Sequence, residues 1–113
     1  MPTYLAVYVG EPTNGPPPEL TPERMREGMQ AWQDWGARHG DDIVFMGGPL
    51  GRTKKTSKSG VEDIRNRMGG FTIVRAESHE AAARMFENHP HFMIFPGDGV
   101  EVMPILDIPQ TPD

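Results

Sequence analysis

The sequence contains no cysteine, which excludes disulfide cross-links, thiolate zinc sites and thiol nucleophiles. It has no long apolar run. The stretch Tyr4 to Val9 falls far short of the roughly 20 apolar residues that cross a bilayer. No basic residues precede it, unlike the start of a signal peptide, so a cytoplasmic protein with no membrane partner is expected. Excess positive charge is missing too: 11 basic residues face 16 acidic ones, a formal charge of −5. Such a balance repels a phosphate backbone unless a local patch overrides it. The one candidate, "RTKKTSK" (Arg52 to Lys58), has Ser, Thr and Gly neighbours and no interleaved aromatics. It reads as a solvated, mobile loop, and no nucleic-acid partner is expected. No phosphate-cradling glycine loop is present: "GGPLG" follows an apolar run but leads into no helix, so it reads as a turn and no nucleotide cofactor is expected.

What remains is a chain of 113 residues, enough for one domain over 1–113 with a core over 4–106. Its 13 glycines and 12 prolines imply much loop. "YLAVYV" (Tyr4 to Val9) is a β-rich first strand. The Pro-rich loop 10–20 contains Pro16, Pro17 and Pro18, which neither extend a helix nor fill a central strand. Thr21-Pro22-Glu23 has the cap, first-turn proline and acid of a helix start. Met25, Met29, Trp32, Trp35 and Gly36 then form one apolar stripe, ending near His39-Gly40. A second strand spans Asp42 to Gly48. Residues 49–69 are polar and read as an irregular insertion, with Val61 to Met68 as one helical turn or a ragged edge strand. A third strand spans Phe71 to Ala76. A second helix is capped by Ser78, buries Ala81, Ala82, Met85 and Phe86, and ends at Pro90. A fourth strand spans Val100 to Leu106, before a polar tail, 107–113.

The order β, α, β, β, α, β is that of a ferredoxin-like α+β fold, an antiparallel sheet with both helices on one face. In the first strand Tyr4, Ala6 and Tyr8 alternate with Leu5, Val7 and Val9, so both faces are apolar. A solvated face should be polar. A second copy packed sheet against sheet is the economical cover, making a homodimer.

"YLAVYVG", "GGPLG", "GGFTIVRAESHEAAARMFENHPHF" and "VEVMPIL" together resemble the YCII-related family, relatives of the DGPF proteins in the dimeric α+β barrel superfamily, over Tyr4 to about Leu106. The resemblance implies a homodimer with a small-molecule pocket between sheet and helices in each subunit. Some members are lyases or isomerases of ring compounds, including dehydrochlorinases of chlorinated hydroxyquinols, that use a His–Asp pair. That pair does not carry over. The corresponding part of the first helix holds Met29, Gln30 and Ala31, and the position before the proline is His89.

His89-Pro90-His91 is therefore this chain's own candidate for proton transfer. Neutral imidazole takes and returns protons near pH 6.5. The plainer readings are a helix C-terminal residue for His89 and a half-buried neighbour of Phe92 for His91. Pro90 forces His89 into an extended conformation, and in an extended stretch the two histidines point to opposite sides. Tyr8 is a candidate phenolic donor, Trp32 a stacking wall, and Asp98 or Asp42 a carboxylate to orient an imidazole. As substrate-binding residues Tyr8, Trp32 and Asp98 are singled out; plainer roles are core packing for the first two and turn chemistry for "PGDG". His-x-His supplies two metal ligands where a catalytic ion needs three; Asp98 is the nearest third, His39 and His79 lie on other elements, and no metal site is expected. Two functions stand: a cofactor-independent lyase or isomerase of a small cyclic or aromatic compound, and a non-catalytic small-ligand binding or regulatory module.

Overall fold

The computed structural model describes residues 1–11 and 21–109; most of the Pro-rich loop and the end of the tail lie outside them. The chain runs β1 (Thr3–Val9), α1 (Pro22–Arg38), a single 3-10 turn (Gly40–Asp42), β2 (Ile43–Pro49), β3 (Thr53–Ser57), β4 (Gly60–Ile64), β5 (Met68–Arg75), α2 (His79–Arg84), α3 (Pro90–Met93) and β6 (Gly99–Pro104). Four strands form one antiparallel sheet in the order β2-β5-β1-β6. Each β-α-β unit therefore has a strand of the other inserted between its own two, the split arrangement expected from the element order.

Local chemistry explains the helix starts. Thr21 Oγ1 accepts the Arg24 N–H at 3.1 Å, Pro22 opens α1, and Arg38 lies in its last turn. Ser78 Oγ accepts the Ala81 N–H at 3.0 Å and starts α2. The buried face of α1 differs from the expected stripe. Gly28 and Trp35 are buried, whereas Met25 and Met29 are 39% and 51% exposed. The cause is Gly28: a Cβ there would lie 2.4 Å from the Phe95 ring, so its absence lets that ring rest on the helix. This brings the line Gly28, Trp32, Trp35 inward and leaves Met25 and Met29 outside.

The helices all lie on the Tyr4 side of the sheet. Tyr4, Ala6, Tyr8, Trp35, Val74, Ala76, Ala82 and Phe86 form the core, with Trp32, Ile43, Ala81, Met85, Val100 and Val102 packed around it. On the other side, Leu5 pairs across the sheet with Ile73 and Met103, and Val7 with Phe71. Phe45 stacks on Phe71 with ring centroids 5.8 Å apart. The smallest extent of the molecule is 18 Å, room for a sheet and one helix layer about 10 Å away but not for a third layer.

Two further sequence expectations are corrected. "RTKKTSK", expected to be a mobile loop in an irregular insertion, forms with the following residues a two-stranded hairpin, β3 paired with β4. Its turn closes at Gly60, whose φ of 112° a side chain would oppose. Pro90, expected to end the second helix, begins a new one. α2 already stops at Arg84, the chain reverses at Asn88 in the left-handed region (φ 58°), and Pro90 opens α3. Among the described residues no helix is long and apolar enough to cross a membrane.

Candidate functional site

The site is built around Tyr8 on β1. Opposite it on β5 stands Gly70, where a Cβ would come within 3.2 Å of the tyrosine ring; the missing side chain is the space the ring occupies. The ring reaches along the sheet to Thr72, and Tyr8 Oη lies 2.7 Å from Thr72 Oγ1. Thr72 Oγ1 donates its single proton to the Met46 carbonyl at 2.9 Å. The tyrosine hydroxyl must therefore be the donor in the first bond. Burial pushes the Tyr8 pKa up to about 12, the Thr72 hydrogen bond opposing it only in part, so Tyr8 is a neutral phenol. The donor expected of Tyr8 is spent on Thr72, and its ring forms the wall.

Around that ring stand both histidines and Trp32. Ring centroids lie 5.1 Å from Tyr8 for His89, 5.3 Å for His91 and 4.9 Å for Trp32. The expectation that the histidines point to opposite sides fails here. His89 is extended (φ −66°, ψ 143°), as the following proline requires, but His91 lies in the helical turn of α3, and the turn brings its ring back beside the same tyrosine.

The two imidazoles occupy different environments. His89 is fully buried, with Trp32 edge-on at 4.6 Å and Trp35 at 4.7 Å. Its Nδ1 accepts the His91 backbone N–H at 3.0 Å. Nδ1 is thus unprotonated, and the neutral ring carries its proton on Nε2, a buried atom with no hydrogen-bond partner among the described residues. Burial, reinforced by His91 and His39, lowers the His89 pKa to about 3. His91 is half-buried, and its Nε2 lies 2.8 Å from the Val9 carbonyl. A carbonyl only accepts, so Nε2 carries a proton, and Nδ1 has no hydrogen-bond partner among the described residues. The same carbonyl accepts the Asp98 N–H at 3.0 Å. Gly97 closes over the ring, where a Cβ would sit 2.2 Å from Nε2.

Neither carboxylate orients these imidazoles. Asp98, half-exposed, pairs with Arg67, which also reaches Glu11 at 3.5 Å. Asp42 lies 3.9 Å from Arg75. The nearby charge of Asp42 acts on His39, whose pKa is lowered chiefly by burial, then by Arg38, with Asp42 opposing. His79 is exposed on α2, with Nε2 2.7 Å from the Val102 carbonyl. Among the described residues, no three His, Asp or Glu side chains form a group that would hold a metal ion.

Sequence reasoning singled out Tyr8, Trp32, His89 and His91, which the fold brings together. It took Asp98 as a carboxylate that orients an imidazole or binds substrate, whereas the structure joins Asp98 to His91 only through the shared Val9 carbonyl. It missed Thr72, Phe95 and the Val9 carbonyl. Thr72 carried a signal, a polar residue on the same strand face as buried Val74. The carbonyl carried none, since every residue has one.

No family model and no curated protein matches the sequence. Among solved structures, the chain is similar to 5-chloro-2-hydroxyhydroquinone dehydrochlorinase (TftG) from Burkholderia phenoliruptrix AC1100 in complex with 2,5-dihydroxybenzoquinone. The identity is 21% over 88% of this chain and 89% of that chain, with a TM-score of 0.54. At that identity the likeness establishes the fold alone.

Proposed function

We propose that the protein is a cofactor-independent lyase or isomerase of a small cyclic or aromatic compound, with His91 as the proton-transfer residue. The observation that carries this reading is the state of the two imidazoles. His91 is half-buried with Nε2–H fixed on the Val9 carbonyl and its basic Nδ1 unclaimed among the described residues, whereas His89 is enclosed and its acceptor is used. Trp32 and Phe95, both part-exposed with ring centroids 5.9 Å apart, supply flat apolar surface for a ring substrate. His91 Nδ1 would take a proton from an acidic O–H or C–H of the ring. The electron pair released would expel a leaving group in a lyase, and the proton would return to another ring atom in an isomerase. The structural similarity to an enzyme named as a dehydrochlorinase of a chlorinated hydroxyhydroquinone supports chlorinated and hydroxylated ring compounds as the first substrates to try. Asp98 and Arg67, at the rim, would meet the polar substituents.

Two copies would pack through the open sheet face, in keeping with the resemblance to the YCII-related family. Support comes from that apolar face and from the β3–β4 hairpin, exposed along most of its length, because a two-stranded hairpin alone is only marginally stable in water. Sedimentation at micromolar concentration should give a dimer; a folded monomer would contradict it.

The test of the function is chloride release and ultraviolet change across a panel of chlorinated hydroxyhydroquinones and related ring compounds. Titration of 2,5-dihydroxybenzoquinone, followed by tryptophan fluorescence, runs in parallel. His91→Ala should keep binding but lose turnover by about 10²–10⁴, the usual worth of a positioned general base. A second reading, a non-catalytic binding module, draws support from His91 having no carboxylate partner among the described residues. Binding without turnover across the panel, unchanged in His91→Gln, would favour it.

A further inference from the structure

Resting on the reading of His91 as the base, we propose that His89 is a positioning residue: its Nδ1 holds the backbone of His91, and thereby sets where the His91 ring presents its lone pair.

Pro90 has no N–H, so the first amide of α3 in need of an acceptor is that of His91. His89 Nδ1 supplies it at 3.0 Å, the task a Ser or Asp oxygen performs at most helix starts. α3 has only four residues, too few to hold a helical turn by propagation, so its geometry depends on such ties. His91 is then fixed at two points. Its backbone N–H is on His89 and its side-chain Nε2–H is on the Val9 carbonyl at 2.8 Å, with Gly97 packed against the ring. Two fixed points set both place and rotation, and so the direction of Nδ1.

The other end of the tie is rigid. Trp35, 1% exposed, donates its Nε1–H to the Met85 carbonyl at 2.8 Å and packs against the His89 ring. With Trp32, Tyr8 and Phe86 also around that ring, His89 has no space to rotate. Being fully buried, it presents no atom to a ligand arriving from solvent. It would act through His91 alone.

Two substitutions separate the atoms of the ring. In His89→Asn the side-chain oxygen takes the place of Nδ1 and can accept the His91 N–H. In His89→Gln the terminal amide takes the place of Nε2 and the acceptor is lost. The expected result is that His89→Asn keeps turnover within about threefold while His89→Gln loses about a hundredfold, the scale of a misplaced reacting group. Long-range imidazole ¹⁵N–¹H spectra should show His91 held as the Nε2–H tautomer in wild type and His89→Asn, and as a mixture of tautomers in His89→Gln. Retention in Gln with loss in Asn would overturn the proposal in favour of Nε2 as the working atom. Retention in both, or loss in both with the His91 tautomer unchanged, would overturn it as well. Should His89→Asn fail to fold, the wild type decides: His89 Nδ1 must appear as an unprotonated acceptor with a slowly exchanging His91 amide, and a protonated Nδ1 would end the idea. The spectra need no substrate, so they give an answer even if no compound is turned over.

Discussion

On the helix side of the sheet Tyr4, Ala6 and Tyr8 are no more than 4% exposed; on the opposite side the central Val7 is buried too, at 6%, but Phe45 is 56% and Met103 41% exposed. The residues on both sides are apolar, so hydrophobicity does not separate them. What separates them is embedded polar chemistry. The helix side contains Thr72, Tyr8 and His89, and hydrogen bonds join Tyr8 to Thr72, Thr72 to Met46, and His91 to His89. The open side presents rings and aliphatic chains, with Glu101 opposite Val7. Buried polar groups need exact partners and therefore specify one arrangement. An apolar face needs only to be covered. The covered face is where stability and the candidate site are built, and the open face is available for association.

The sharpest way to break this comparison is to truncate one large aromatic on each face. Trp35→Ala removes a 1% exposed side chain and leaves the Met85 carbonyl without its indole donor. It should cost about 3–5 kcal/mol, much of the 5–15 kcal/mol typical of a whole domain. Phe45→Ala, at 56% exposure, should cost the subunit about 1 kcal/mol or less and act mainly on self-association. Urea unfolding with sedimentation alongside measures both. Equal losses in subunit stability would mean that the open face is as much part of the core as the helix side.

The next effect is one of pH. His89 has a folded pKa of about 3, lowered first by burial and then by His91 and His39, against about 6.5 for an unfolded imidazole. Between these values the unfolded chain binds a proton that the folded chain refuses. Its stability is therefore complete above about pH 6.5 and falls as the pH falls from there toward about 3, by at most about 1.4 kcal/mol per pH unit. His39, also lowered, adds in the same sense. Unfolding midpoints between about pH 5 and 6.5, above the carboxylate range, should show this slope. His89→Asn should lose most of it, and an unchanged slope would mean that the buried imidazole is not its source.

Much of this was legible in the sequence because it depends on neighbours along the chain. Strand alternation, the Thr21 and Ser78 caps and the order of elements are local signals, and together they lead to the sheet order. The hairpin was hidden because its strands are polar: Lys54 and Lys55 face Asp63 and Glu62, which hydropathy reads as loop. The α2–α3 break was hidden because Pro90 signals an end as readily as a start, and only the reversal at Asn88 decides. Within the site, residue types were legible and their partners were not. Asp98 pairs with Arg67 across 31 positions, and His91 binds a carbonyl 82 positions away. Such pairings follow from the sheet register, which no short motif encodes.

A small effect is expected of Tyr8→Phe, and it tests whether polar pairing on the covered face contributes beyond packing. The substitution keeps the ring and its contacts with Trp32 and both histidines. It removes only the hydroxyl that donates to Thr72 Oγ1. Thr72 still donates to the Met46 carbonyl, so no buried donor is orphaned and the loss is that of one hydrogen bond, about 1 kcal/mol. Thr72→Val is the complementary change. It leaves the Tyr8 hydroxyl as a buried donor without its partner, costing about 1–3 kcal/mol. In the double variant Tyr8→Phe/Thr72→Val that orphan disappears, so the pair should cost less than the sum of the single changes. Additive costs in the unfolding midpoints would mean that Tyr8 and Thr72 do not depend on each other, and the covered face would then be held by packing alone.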